Sequence, residues 1–323
     1  MSSPLTNLSD TSSTARKAAL PDPMIALRAA EDEVLRSTGI PIVRQDIEVD
    51  GSRLHYLTSG DGEPLLLLHD RGLCGATFAS VLPMLSAERR TLALDLPGWG
   101  LSSKPPFAGR TAEDALSVWM NGVLGFLDAL GLEQVDLLGH SMGGFTALGL
   151  ALERPARVRR LILVDPLGIS NEMQLDSRLY FGIGPEKLHR FFGRHFTRLL
   201  MSPGSNLHPD LEESLDALYH QLLTQADVLP SGARAFHAWI NLTGVHLTLA
   251  HRLPELEMPV LMLWGDSDSL AHYEIGLHVI RSLRDASLVA FTHTGHSPFV
   301  ERPDAFVEIL LAWLNGRYVR PRV

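Results

Sequence analysis

A single serine stands among glycines at the end of an apolar run, in the stretch "LLGHSMGGF". Gly139, Ser141 and Gly143 form the pattern G-x-S-x-G, in which a serine occupies a sharp turn between a strand and a helix. The apolar run "QVDLLGH" predicts the strand, and Met142 to Glu153 predict the helix. We therefore expect the Ser141 hydroxyl to be presented as a nucleophile. The alternative is a glycine-rich turn that only packs a helix on a sheet.

A histidine must accompany this serine, because a hydroxyl is a weak nucleophile until a base takes its proton. Of the 14 histidines, His296 lies in the loop "HTGHSPFVERPDAF", after the last predicted strand. Open α/β sheets place their sites at that edge, so we predict that His296 is the base, with His293 as a rival. His140 is expected to point away from the serine. We expect surface or pocket positions for the histidines of the helical segment, such as His189, His195 and His237.

The third member of such a site is a carboxylate that orients the histidine. Three aspartates follow predicted strands: Asp165 ends "LILVD", and Asp266 and Asp268 lie in "LMLWGDSDSL". In an extended loop, Asp266 and Asp268 face opposite ways, so only one of them can reach the imidazole. The residues alone leave all three aspartates, Asp165, Asp266 and Asp268, open as candidates.

The elements that must position these residues form a regular alternation of strands and helices. The alternation predicts an α/β fold with a doubly wound, mostly parallel sheet, and Asp50-Gly51 predicts a hairpin before it. We expect an N-terminal tail and short helix over residues 1–38 and the first part of the core over 39–167. A helical lid inserted after the sixth strand is expected over 168–250, and the second part of the core over 251–323.

The composition excludes several classes of protein. A net charge of −9 argues against a nucleic-acid partner, since phosphate binding needs a basic face. The single cysteine, Cys74, forms no intrachain disulfide and is expected to be a packing residue. The N-terminal stretch lacks the apolar core of a signal peptide, and no apolar run approaches the roughly 20 residues of a membrane span. We expect a soluble, cytoplasmic protein without a membrane partner.

These motifs together resemble the α/β-hydrolases that carry a lid, a group of esterases, epoxide hydrolases and carbon–carbon hydrolases. The resemblance runs from about residue 43 to the C-terminus and is carried by "LLLLHDRG", "ALDLPGWGLSSKP", "LLGHSMGGF", "LMLWGDSD" and "GHSPFVERPDAF". It implies that Ser141 is the nucleophile, His296 the base and Asp268 the acid. It also implies that Asp95 and Glu301 are structural hydrogen-bond acceptors.

The resemblance further implies an oxyanion hole made by the backbone N–H groups of Met142 and Arg71. The chain departs from the family here, because His69-Asp70 stands where the family usually has His-Gly. A carboxylate at this place works against an oxyanion unless it is turned away or paired. The Arg71 guanidinium could pair with Asp70, reach a substrate carboxylate, or form a solvated charge pair with it.

The reaction follows from the type of nucleophile. A serine argues against dehalogenase or epoxide hydrolase chemistry, which in this fold uses an aspartate. The resemblance implies hydrolysis of a small or medium ester through an acyl-enzyme, with a small-molecule substrate and with neither cofactor nor metal. Trp99 and Trp239 are expected to line the substrate pocket.

Three alternatives to ester hydrolysis stay open. Carbon–carbon hydrolysis of vinylogous diketones is favoured by "SMGG" and by the spacing of "HDRGLCGATF". That subgroup usually has a tryptophan where this chain has Ser297, and a richer glycine run after the first histidine. A cofactor-free perhydrolase uses the same three residues, and a non-catalytic ligand-binding receptor can be built on the same scaffold.

Overall fold

The computed structural model describes residues 23–193 and 207–317. The strands are β1 (Val43–Val49), β2 (Ser52–Ser59), β3 (Pro64–Leu68), β4 (Arg90–Leu94), β5 (Val135–His140), β6 (Val158–Val164), β7 (Ile240–Asn241), β8 (Gly244–Val245), β9 (Val260–Gly265) and β10 (Ala286–Phe291). The helices described are α1 (Pro23–Ser37), α2 (Leu82–Leu85), α3 (Ala112–Ala129), α4 (Met142–Glu153), α5 (Leu175–Ile183), α6 (Pro185–Phe192), α7 (Pro209–Val228), α8 (Ser231–Trp239), α9 (Tyr273–Val279), α10 (Pro298–Glu301) and α11 (Pro303–Leu314).

The core is one eight-stranded sheet in the order β1-β2-β4-β3-β5-β6-β9-β10. The β1–β2 and β2–β4 pairs are antiparallel, and every pair from β4 to β10 is parallel. Consecutive parallel strands need helical crossovers, which cover both faces of the sheet. The predicted fold class, a doubly wound and mostly parallel α/β sheet, is confirmed.

The apolar run of β3 shows how the sheet divides the core into two layers. Leu66 and Leu68 point into the cluster that contains α3 and α4, whereas Leu65 and Leu67 point into the cluster that contains α1 and α11. All four side chains are fully buried. Because both faces are covered, this strand is continuously apolar rather than alternating.

The predicted hairpin is present between β1 and β2. Val49 pairs with Ser52, which leaves Asp50 and Gly51 as a two-residue loop. Both loop residues have positive φ, 49° and 74°, as a type I′ turn requires. Residues 1–22, which belong to the predicted N-terminal tail, lie outside the described residues.

The segment between β6 and β9 contains α5, α6, α7 and α8, in agreement with its predicted helical character. It also contains the short antiparallel pair β7–β8, which the sequence analysis did not predict. Two-residue strands are too short to produce an alternating pattern of hydrophobicity. Helix α7 packs on α1, where the hydroxyls of Ser37 and Ser214 lie 2.9 Å apart. Whether this segment acts as a lid stays a prediction.

Within residues 23–193 and 207–317, no helix combines the length and hydropathy that crossing a bilayer would need.

Candidate active site

The turn between β5 and α4 explains the glycines around Ser141. Ser141 has φ 54° and ψ −111°, a strained conformation at the start of α4. A Cβ at Gly139 would lie 2.3 Å from the carbonyl oxygen of Gly143, and a Cβ at Gly143 would lie 2.2 Å from that of Leu68. Side chains at these two positions would therefore collide with backbone. The glycines make room for a turn that presents the Ser141 hydroxyl.

Ser141, His296 and Asp268 lie in one hydrogen-bonded row. The Oγ of Ser141 is 2.9 Å from Nε2 of His296, and Nδ1 of His296 is 2.6 Å from a carboxylate oxygen of Asp268. The second Asp268 oxygen accepts from the backbone N–H groups of Leu270 (2.7 Å) and Ala271 (3.1 Å). Asp268 thus holds the imidazole in the tautomer whose Nε2 can accept the serine proton.

The charges around His296 favour its protonated form. Burial disfavours an imidazolium, but the carboxylates of Asp268 and, farther away, Asp70 and Glu301 outweigh it and raise the pKa of His296 above 6.5. A base whose protonated form is stabilised in this way is suited to taking a proton from a hydroxyl.

The two other aspartates lie beside the row without contacting the imidazole nitrogens. The side chain of Asp266 is solvent-exposed and accepts a hydrogen bond from the Ser267 hydroxyl. Asp165 is fully buried, and one of its oxygens accepts from the backbone N–H of Gly265. Burial and the nearby Asp268 carboxylate raise the pKa of Asp165 well above its usual range. This shift favours the neutral form of Asp165, which makes no hydrogen bond to the imidazole of His296.

The other histidines occupy different places. His293, the rival base, is exposed and has a positive φ of 53°. His189 is buried with its ring 4.8 Å from that of His220, and His237 is half-buried beside the carbonyl oxygen of Phe181. His195 lies outside the described residues.

His140 packs directly against His296, a contact that the sequence analysis did not predict. Its Nε2–H donates to the carbonyl oxygen of His296 (2.7 Å), and the two ring centroids are 4.9 Å apart. Burial and the neighbouring His296 lower the pKa of His140 to about 4, so its ring is neutral. The only sequence signal is its place at the end of β5, where the last side chain of the strand turns toward the neighbouring loops.

Glu301 and Asp95 accept backbone hydrogen bonds, as the resemblance implied. The Glu301 carboxylate accepts from the N–H of Gly295 (2.9 Å) and Ser297 (3.4 Å), on either side of His296. The two oxygens of Asp95 accept, at 2.6 Å each, from the backbone N–H groups of residues 75 and 101. Both carboxylates thus hold loops at the carboxyl edge of the sheet.

Asp70 takes an unexpected position. Its Oδ1 accepts from the backbone N–H of Arg71 (2.5 Å) and from that of Met142 (3.3 Å), the two donors of the predicted oxyanion hole. Its other oxygen lies 3.8 Å from Nε2 of His296. The carboxylate is therefore turned into the hole. Its backbone is unstrained, because the left-handed residue of this loop is Gly72, with φ 74°.

The Arg71 guanidinium points away from Asp70, toward the helices after β6. Its Nη2 donates to Glu186 of α6 (2.7 Å), and both side chains are buried. The guanidinium also lies 4.9 Å from the ring of Phe236 on α8. Of the three options, pairing with Asp70 and a solvated charge pair are therefore wrong. Binding of a substrate carboxylate by Arg71 stays a prediction; its Nε and Nη1 have no hydrogen-bond partner among the described residues.

The two tryptophans named from the sequence are buried. Trp239 stacks on Phe145 at 3.8 Å, and its indole N–H donates to the carbonyl oxygen of Leu247. Trp99 packs under α8, where a Cβ at Gly232 would lie 2.4 Å from its ring. Contact of either ring with a substrate stays a prediction. Cys74 is also buried, with its thiol pKa raised by burial and by Asp95, and it packs in the core.

Two clusters in the described ranges bring three metal-ligand side chains together: Asp165, Asp268 and His296, and a second formed by Glu31, His55 and Asp95. The second is a buried ionic network, because His55 pairs with Glu31 (3.2 Å) and with Asp46 (2.7 Å). The first is the row already described. In both clusters, hydrogen bonds within the protein account for the arrangement.

Comparisons with known proteins place the chain in one fold family. The family model described as the alpha/beta hydrolase fold matches residues 63–303. The chain is 27% identical to a 2-hydroxymuconate semialdehyde hydrolase of Pseudomonas sp. (strain CF600) over 281 residues, which are 84% of this chain and 93% of the relative. It is 29% identical to a 2-hydroxy-6-oxononadienedioate/2-hydroxy-6-oxononatrienedioate hydrolase of Cupriavidus pinatubonensis, covering 82% and 91% of the two chains.

A similar solved structure is the carboxylesterase CesB from Bacillus subtilis. It superposes with a TM-score of 0.71 at 21% identity, and the match covers 91% of this chain and 99% of the esterase. At that identity the likeness shows the fold alone. The sheet order, the strained turn at Ser141 and the family match over residues 63–303 lead to one conclusion. The chain belongs to the α/β-hydrolase fold family and is a hydrolase.

Proposed function

We propose that this hydrolase acts through Ser141 and cleaves a carbon–carbon bond next to a carbonyl group in a vinylogous diketone. The observation that carries the proposal is the row from Ser141 Oγ through His296 to Asp268, with distances of 2.9 and 2.6 Å. The row has the geometry in which a hydroxyl loses its proton to a histidine while attacking a carbonyl carbon.

The steps follow from the atoms present. As Ser141 Oγ bonds to the carbonyl carbon, its proton passes to Nε2 of His296, and Asp268 stabilises the imidazolium through Nδ1. The backbone N–H groups of Arg71 and Met142 then bind the new oxyanion. The imidazolium returns the proton to the leaving carbon as the carbon–carbon bond breaks, which leaves an acyl-serine. Water, activated by the neutral His296, hydrolyses that ester.

The choice of bond rests on the relatives. The names of both curated relatives specify hydroxylated oxo-dienoate or muconate substrates, molecules without an ester or amide group to hydrolyse. Hydrolysis of such a molecule must break a carbon–carbon bond, and the conjugated enol group stabilises the carbon that leaves. The comparisons therefore favour this alternative over ester hydrolysis, which the sequence analysis placed first.

A buried cation near the nucleophile supports a substrate that carries a carboxylate. The backbone N–H of Arg71 faces the oxyanion position, and its guanidinium extends between α6 and α8 with Nε and Nη1 unpaired among the described residues. Buried donors without an acceptor are costly, and a carboxylate accepts two such hydrogen bonds at once. We infer that Arg71 binds the carboxylate end of the dienoate.

In this proposal, the helices after β6 form a lid over Ser141. Ser141 has no solvent-exposed surface, so substrate reaches it only if a covering element moves. The ion pair of Arg71 with Glu186 connects α6 to the loop of the predicted oxyanion hole. We propose that the described helices within the predicted lid 168–250, α5 to α8, move to admit substrate, and that the flanking segments form the core.

Ester hydrolysis is the second candidate. The Asp70 carboxylate lies 3.8 Å from Nε2 of His296, and Glu186 already neutralises part of the Arg71 charge. A neutral ester would enter this site without the repulsion that an anionic dienoate meets.

One panel separates the candidates. The purified protein is assayed with a 2-hydroxy-6-oxo-hexa-2,4-dienoate, followed by loss of its absorbance, and with p-nitrophenyl esters of increasing chain length. A kcat/KM for the dienoate at least tenfold above the best ester supports carbon–carbon cleavage, and the reverse order supports an esterase. Saturable binding without turnover of any substrate, unchanged in Ser141→Ala, would instead show a receptor.

A further inference from the structure

The two backbone N–H groups of the predicted oxyanion hole both donate to a side chain of the protein itself. The Oδ1 of Asp70 lies 2.5 Å from the N–H of Arg71 and 3.3 Å from that of Met142. These are the two donors that the resemblance assigns to the oxyanion of the tetrahedral intermediate. A carboxylate oxygen and an oxyanion are both negative acceptors, so the two cannot share the hole.

The surroundings fix the Asp70 backbone and flank its carboxylate. The His69 ring is fully buried and bridges two backbones: its Nδ1–H donates to the carbonyl oxygen of Asp70 (2.7 Å), and its Nε2 accepts from Leu96 N–H (2.9 Å). On its other side, the second Asp70 oxygen faces Nε2 of His296 at 3.8 Å. The Arg71 guanidinium is ion-paired with Glu186 and does not pair with the Asp70 carboxylate.

From this geometry we propose that Asp70 is an internal ligand of the oxyanion hole, so that the structure is a self-inhibited state of the site. The proposal rests on the proposed role of Ser141 as nucleophile. A substrate carbonyl gains the two N–H donors only after Asp70 withdraws. Substrate binding therefore requires that the Asp70 carboxylate be displaced from the two N–H groups.

Occupation of the hole by Asp70 should slow the reaction at Ser141. When a binding-competent state is only a fraction of the population, apparent affinity falls by that fraction. An oxyanion-hole donor typically contributes about 10²–10³ in rate, so keeping both donors occupied suppresses the reaction strongly. Removing the carboxylate should therefore activate the enzyme, whereas removing an ordinary structural side chain near a nucleophile does not.

The test measures how fast a fluorophosphonate modifies Ser141. The reagent places a negative oxygen in the hole as it reacts, and mass spectrometry identifies the modified residue. The proteins compared are the wild type, Asp70→Ala, Asp70→Asn and the control Asp266→Asn. The control variant removes the exposed carboxylate of Asp266, two residues from Asp268, which lies outside the hole. Thermal unfolding verifies that each variant is folded, and the isosteric Asp70→Asn serves if Asp70→Ala is not.

We expect Asp70→Ala to react at least about tenfold faster than the wild type, with Asp266→Asn equal to the wild type. In Asp70→Asn the amide oxygen still reaches the hole without a full charge, so an intermediate rate is expected. Hydrolysis of p-nitrophenyl butyrate should rise in the same order. If Ser141 is modified but Asp70→Ala and Asp70→Asn react no faster than the wild type, the internal-ligand proposal is wrong and the nucleophile stands. If Ser141 stays unmodified in every folded protein, both proposals fail.

Discussion

His140 and His296 lie ring against ring, with centroids 4.9 Å apart, and the Nε2–H of His140 donates to the carbonyl oxygen of His296 at 2.7 Å. His140 is thus adjacent to Ser141 in sequence, and it supports His296, which contacts Ser141 in space. Because the pKa of His140 is lowered to about 4, its ring is neutral near pH 7. The contact fixes the position of His296 without adding charge.

We expect His140→Phe to lower kcat by about 10- to 100-fold with a smaller change in KM, since the ring packing survives but the donor to the His296 loop is lost. Steady-state kinetics on the best substrate of the panel measure the effect. His140→Asn, whose amide N–H can replace the donor, should recover part of kcat. Equal activity of His140→Phe and wild type would show that the contact is packing only.

Ser141→Ala should reduce kcat by about 10⁴-fold or more while the protein stays folded, because a methyl group fits the turn. His296→Ala should behave alike, and the double variant should be hardly worse than either single variant, since the residues act as a unit. Turnover and thermal unfolding of the three variants measure this. A folded Ser141→Ala protein that keeps most of its activity would contradict the assignment.

Asp268→Asn should lower kcat by about 10³–10⁴-fold, because an amide can hold His296 in the wrong tautomer. Asp165→Asn should cost less than about tenfold, since Asp165 does not hydrogen-bond the imidazole and an amide oxygen can still accept from the Gly265 N–H. The exposed Asp266 should also cost less than about tenfold when changed to Asn. Steady-state kinetics compare the three variants, and a crippled Asp165→Asn beside an active Asp268→Asn would reverse the acid assignment.

The pH dependence of kcat/KM should show the charge environment of His296. Only the neutral imidazole accepts the Ser141 proton, and the carboxylates of Asp268, Asp70 and Glu301 raise its pKa against the effect of burial. Activity should therefore be lost as pH falls through a value above 6.5, by tenfold per unit of pH below it. A profile measured from pH 5 to 9 tests this, and an acid limb centred below 6.5 would contradict it.

A second histidine should govern stability rather than catalysis. Burial disfavours the charged form of His55, but Glu31, Asp95 and Asp46 outweigh it and raise its pKa to about 9. The folded value exceeds the unfolded one, so the stabilisation is complete below about pH 6.5 and is lost as pH rises through about 9. The Tm difference between wild type and His55→Gln should thus shrink between pH 6 and pH 9.5. The exposed His251→Gln serves as control, and a pH-independent difference would refute the ionic contribution of His55.

Local patterns determined much of the architecture. The alternation of apolar strands and amphipathic helices predicts a parallel sheet, because each period is imposed by which faces are buried. Asp50-Gly51 predicts a type I′ hairpin since both residues tolerate positive φ, and both have it. Likewise, Gly139 and Gly143 are required because a Cβ at either position would lie within 2.3 Å of a backbone oxygen.

The tertiary structure decided what depends on distant contacts and on side-chain direction. Asp165 and Asp268 both end neighbouring strands, and only the turn that gives Asp268 two backbone donors aims its free oxygen at His296. The side chain of Asp70 could turn outward, pair with Arg71 or enter the hole, and sequence neighbours do not distinguish these rotamers. Glu186, 115 residues along the chain, engages the Arg71 guanidinium and leaves the Asp70 carboxylate to the two backbone N–H groups. Such long-range pairings exist only after the chain has folded, which is why local sequence cannot specify them.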